Sequence, residues 1–115
     1  MALLKNLTKQ QVITERVIKA QTFWERSKGL LGRDSLDPNT ALWISQCPWI
    51  HTFFMRFTID AVFVDRNLKV ANIKKQILPN RITMPVLKAN SVFEMAAGVA
   101  QEKNIHIGDQ LYVGD

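Results

Sequence analysis

His51, Thr52 and Met55 stand a few residues before Asp60, and Glu94 follows later in the chain. In an extended segment His51 and Met55 share a face, because side chains at even spacing point the same way. An imidazole oriented there by Asp60 or Glu94 has the makings of a general base or a metal ligand. The competing reading has His51 tie its own loop together through hydrogen bonds. Asp60 precedes Ala61-Val62-Phe63-Val64 and Glu94 follows Val92-Phe93, so both carboxylates have apolar neighbours. A carboxylate taken out of water needs a partner, and Arg26 can supply one as a bidentate ion pair with Asp60 or Glu94. The same two carboxylates, open to a cleft, would instead serve a small hydrolase as acid and base.

A metal centre needs three or four converging ligands. The chain offers His51, His106 and the single cysteine Cys47, and we expect neither a metal nor another cofactor. Cys47 lies four residues before His51. That separation spans about 13 Å in a strand, too far for a Cys–His pair unless the chain bends at Pro48. There is no G-x-S-x-G elbow and no Gly-rich phosphate loop. Trp24 and Trp43 adjoin apolar segments and belong in or near the core. Trp49 follows Pro48 in a loop-like position. Exposed there, its ring would stack on a sugar or base or anchor a protein partner; packed, it would join the core.

These residues must be positioned by short elements. Residues 11–20 are rich in β-branched types and read as one strand. Thr22-Phe23-Trp24-Glu25 is a capping box, and the spacing of Phe23, Ser27, Leu30 and Leu31 predicts a short helix at about 23–31. Residues 41–45 read as a strand. Residues 49–64 suggest one strand, a bend at Thr58-Ile59-Asp60, and a second strand at 61–64. Asp65-Arg66-Asn67 is a turn, and 68–77 return as the other arm of a hairpin. Pro79, Asn80 and Pro85 mark an irregular connection. Residues 91–96 form a further strand, a helical turn follows Gly98, and Gly108-Asp109 turns into a last strand at 110–113. His106 falls in a strand before that turn, facing solvent. Many short strands and no long helices argue for a single-domain, mostly β sandwich, jelly-roll-like or barrel-like fold.

Composition narrows the partners. At 115 residues and 47% apolar, the chain matches a single domain able to bury about two thirds of its unfolded surface. No segment approaches the length of a membrane span. The N-terminus is too short in apolar residues for a signal peptide, so the chain as given reads as cytoplasmic; a trimmed form of an exported protein would look the same. The formal charge of +5 permits an anionic partner. Yet the basic residues are scattered, with Lys74-Lys75 the one adjacent pair, which argues against nucleic acid.

Four ordered motifs carry a resemblance. They are Arg26-x-x-Gly29-Leu30-Leu31, the run from Ile50-His51-Thr52-Phe53-Phe54-Met55 to Ile59-Asp60-x-Val62-Phe63, Phe93-Glu94-Met95-x-Ala97-Gly98, and Ile107-Gly108-Asp109. Over about residues 15–113 the chain resembles the domain of unknown function 192, also catalogued as uncharacterised protein family 0127. The resemblance implies a β-rich jelly-roll-like or barrel-like domain with a small helix near the N-terminus, and no chemistry. Many relatives carry an export or lipoprotein signal that this chain lacks. They commonly have Trp where Phe54 stands and Pro where Thr58 and Ala96 stand. With the motifs added, the candidate ligand-binding residues are Arg26, Trp49, His51, Thr52, Met55, Glu94 and Asp109, and the candidate catalytic residues are His51, Asp60 and Glu94. The leading expectation is a binding or interaction module with a groove near Trp49, His51, Met55 and Glu94. It would receive a small molecule or protein partner. A hydrolase of a sugar or cell-wall-like substrate is the first alternative and a nucleic-acid binder the second.

Overall fold

The computed structural model of the chain describes residues 2–20, 34–46, 49–52 and 55–115. The expected helix at about 23–31 and its capping box lie outside them, as do Arg26 and Cys47. Among the described residues, strands β1 (Leu3–Asn6), β2 (Gln11–Thr14) and β8 (Leu111–Gly114) form a three-stranded sheet in the order β2-β1-β8. Strands β3 (Arg16–Ala20), β4 (Thr40–Ser45), β5 (Ile59–Val64), β6 (Val70–Ile77) and β7 (Ser91–Ala96) form a five-stranded sheet in the order β3-β4-β7-β5-β6. Its pairs are antiparallel except β3 with β4. The two sheets do not close into a barrel. One helical turn, α1 (Val99–Glu102), follows Gly98.

The five-stranded sheet has a different cover on each side. On β7, Phe93 and Met95 point into a cluster with Leu4, Ile13 and Leu111 of the smaller sheet and Val99 and Ala100 of α1. Val92 points the other way, into a cluster with Leu42, Ile44, Ile59, Ala61 and Phe63. That second cluster is closed by Leu36, Ile50, Met55 and Val86, which lie outside regular strands. Among the described residues one side is thus covered by sheet and helix, the other by loops. Period-two alternation in β4, β5 and β7 sets this division, and both sides being buried explains why these strands read as nearly continuous apolar runs.

Several expectations are corrected. The strand expected over 11–20 is two, broken at Glu15, with β2 in one sheet and β3 in the other. Thr14 Oγ1 donates to the Arg16 carbonyl and the Glu15 amide donates to Asn39, so side-chain contacts replace ladder bonds at the break. In the described residues 49–52 and 55–58 the strand-like composition builds a loop cover, with an isolated bridge from His51 to Ile82. Ile59 and Asp60 lie in β5 rather than in a bend. His106 lies outside any strand and is exposed. The hairpin stands: the Asp65 carboxylate accepts the amides of Asn67 and Lys69 at 2.8 and 2.9 Å, which closes the β5–β6 turn.

Candidate functional site

Glu94 and Asp60 sit on adjacent central strands but do not share a cleft. In the β5–β7 register Glu94 opposes Ala61, whereas Asp60 opposes Met95. Directly opposed residues share a face and neighbours along a strand alternate. Asp60 therefore faces α1 and Glu94 faces the loop-covered side. This removes the two-carboxylate geometry that the hydrolase reading needs.

Asp60 is fully engaged. Its Oδ2 accepts the amides of Gly98 and Ala100 at 3.0 and 2.9 Å, and its Oδ1 accepts the amide of Gln76 at 2.8 Å. The carboxylate takes up orphan amides at the start of α1 and ties that turn to β5 and β6. Gly98 permits the arrangement because its φ of 94° is open to glycine and strained for other residues.

Glu94 is the contrast. It is 3% exposed, its cross-strand neighbours are Leu42 and Ala61, and its Oε1 is buried with no hydrogen-bond partner among the described residues. Burial pushes its carboxyl from 4.5 up to about 7.

The other candidates divide into three places. Thr52 is buried and spans two loops: its Oγ1 donates to the Leu78 carbonyl at 2.6 Å and accepts the Arg81 amide at 2.8 Å. Its own amide donates to the Arg81 carbonyl at 2.7 Å. Met55 is buried in the cluster that contains Leu42 and Ala61, the cross-strand neighbours of Glu94. His51 and Trp49 lie on the outer side of this cover, with ring centroids 6.5 Å apart. Glu94, Met55, Thr52, His51 and Trp49 thus occupy one side of the sheet, from its surface outward through the cover.

Asp109 is elsewhere, under the smaller sheet. Its Oδ2 accepts Asn6 Nδ2 at 2.8 Å, the His106 amide at 2.9 Å and Lys9 Nζ at 3.0 Å. Burial pushes this carboxyl up. The Asn6 amide, the His106 amide and the Lys9 cation together outweigh it and hold the group below its usual range. Lys9 Nζ also meets the Asn104 carbonyl and His106 Nδ1 at 2.8 and 2.9 Å. Asn6 and Lys9 escape a sequence reading because their partner is about a hundred positions away. Among the described residues no group of three or more His, Cys, Asp or Glu could hold a metal ion, and no helix is long and apolar enough to cross a membrane. A shallow hollow of about 350 Å³ along Lys5–Leu7 and Gln10–Val12 contains none of the candidate residues.

The family model for DUF192, described as an uncharacterised ACR, matches residues 4–113. The chain belongs to the DUF192 family. The match begins in β1, so the family's domain includes the N-terminal strand that the motif resemblance left out. This DUF192 chain is 35% identical over 121 residues to a UPF0127 protein of Thermococcus sibiricus, an alignment covering 95% of this chain and 73% of that one. A crystal structure of a protein of unknown function from Novosphingobium aromaticivorans matches with a TM-score of 0.79 at 21% identity, covering 96% of this chain and 82% of that one. A second, from Sinorhizobium meliloti and described as a candidate transcription regulator, matches with a TM-score of 0.81 at 19% identity, covering 97% and 91%. At those identities the two structures establish the DUF192 fold and nothing about activity.

Proposed function

We propose that this DUF192 domain is a binding module whose ligand is read by Glu94 on the loop-covered side of the five-stranded sheet. One observation carries the reading: Glu94 is buried, its cross-strand neighbours are apolar, and one of its oxygens has no hydrogen-bond partner among the described residues. A buried polar atom left unmade costs about 1–3 kcal/mol, and a ligand that donates an N–H or O–H to it recovers that energy. Its cross-strand neighbours Leu42 and Ala61, and the apolar cluster they belong to, favour a ligand with an apolar body and one polar donor. The described part of the cover on the Glu94 side is loop, the class of element that opens locally at low free energy.

Thermal unfolding of the pure protein against sugars, nucleotides, amino-acid derivatives and short oligonucleotides tests this. A ligand at about a hundred times its Kd adds about 2.7 kcal/mol. We expect one class to raise the midpoint of the wild type and to leave Glu94→Leu unmoved, with the unliganded midpoint of that variant equal to or above wild type. A variant that unfolds many degrees lower, beside a wild type that no ligand moves, would make Glu94 scaffold and overturn the reading.

A further inference from the structure

The outer side of the same cover carries a second feature, independent of Glu94. The Thr83 amide donates to the Ile50 carbonyl and His51 bridges Ile82, so 49–51 and 82–84 run as a short antiparallel ribbon. In that register Ile50 and Thr83 face inward, with Ile50 buried, while Trp49 and Met84 lie opposite each other on the outer face beside Ile82. Trp49 is 42% exposed, Ile82 61% and Met84 77%; Leu78 and Leu87, which flank the ribbon, are 52% and 86% exposed. Trp49, Ile82 and Met84 grouped on one outer face, with Leu78 and Leu87 exposed close by in the chain, mark an interaction site.

Charge identifies the partner. Between Asp65 and Glu94 the chain holds six Lys or Arg and no Asp or Glu. The rest of the chain holds nine Lys and Arg against ten Asp and Glu, so the whole positive excess of the molecule lies in this segment. The cations scatter along the sequence, but the acids do not. Arg81 and Lys88 stand exposed among the apolar residues, and neither is ion-paired with a described residue. Lys74 and Lys75 lie on β6, the edge strand that leads into the loop.

We infer that this ribbon and loop dock on an anionic lipid surface. Exposures of 42–86% turn these apolar side chains largely to solvent. A folded partner would need a matching pocket for each of them, whereas a bilayer interface admits them without one. Exposed Trp at the interface, protruding Met and Leu, and flanking cations are the composition of an interfacial anchor.

The test is co-sedimentation of the full chain with phosphatidylcholine vesicles and with phosphatidylcholine–phosphatidylglycerol vesicles, at low and high salt. We expect binding to the anionic vesicles alone, weakened by salt. Met84→Ser combined with Leu87→Ser, and Arg81→Gln combined with Lys88→Gln, should each weaken it by about tenfold or more. Ile107→Ser, an exposed apolar position outside this segment, should leave it unchanged. All of these positions are exposed, and circular dichroism verifies that each variant folds. Absence of binding at low salt, equal loss in Ile107→Ser, or indifference to the Met84–Leu87 pair would overturn the inference. So would tight capture of an acidic amphipathic peptide by a protein that ignores lipid, an outcome that assigns the surface to a protein partner. None of these results bears on Glu94, whose ligand is tested by the unfolding panel.

Discussion

The two sides of the five-stranded sheet each bury one carboxylate, and they treat it oppositely. On the side sealed by α1 and the smaller sheet, Asp60 accepts three backbone amides. On the side where the described cover is loop, Glu94 keeps an oxygen without a partner among the described residues. The first arrangement joins three elements and belongs to the scaffold. The second weakens the fold where the cover is irregular, which is where natural proteins place function at the expense of stability.

The comparison breaks first at Asp60. Asp60→Ala strands the amides of Gln76, Gly98 and Ala100, and we expect a loss of about 3–5 kcal/mol in urea unfolding. A loss below about 1 kcal/mol would mean that those amides find other acceptors. Glu94→Leu should move the other way near pH 8. There the unpaired charge gives way to an apolar side chain, and a gain of about 2 kcal/mol is expected from the same unfolding curves. Thr52→Val removes the hydroxyl that bridges Leu78 and Arg81. We expect about 1–2 kcal/mol of global loss, with faster amide exchange confined to 49–57 and 78–84. Uniform acceleration across the molecule would show instead that the cover and the sheet unfold as one unit. The smallest effect is at Asp109, whose carboxyl is held low by Asn6, His106 and Lys9. A depressed carboxyl contributes stability above its unfolded pKa and loses it as the pH falls through the folded one. Wild type should therefore weaken below about pH 4, and Asp109→Asn, down by about 1 kcal/mol at neutral pH, should weaken less steeply there.

Much of the fold is legible locally, because its turns are made by residues near in sequence. Asp65-Arg66-Asn67, Gly98 before α1, and Gly108-Asp109 each announce a turn through their own side chains or lack of one. What stays hidden depends on distant partners. β1 carries no apolar alternation because one of its two inward positions is Asn6, buried by its bond to Asp109. The break at Glu15 has no glycine or proline to mark it. Apolar residues such as Ile50, Met55 and Phe57 serve a loop cover, since burial rewards apolar area whether or not the backbone is extended. Of the site, Glu94 and Asp60 stand out in sequence by their apolar neighbours, but their opposite facing needs the β5–β7 register. Nothing local marks Ile82, Met84 and Leu87 as exposed, and the acid-free stretch between Asp65 and Glu94 is the one signal that points to their segment.

The most direct test of the account is the unfolding free energy of wild type and Glu94→Gln from pH 5 to pH 8. In the folded protein Glu94 titrates at about 7 against 4.5 for an ordinary glutamate. Between those values the native state holds a proton that the unfolded chain has released, so stability falls as the pH rises. Other titrating groups act alike in both proteins and cancel in the difference. We predict that wild type loses roughly 3 kcal/mol more than the variant across this range. Parallel curves would mean that Glu94 is as well satisfied as Asp60, and the contrast between the two sides of the sheet would not hold.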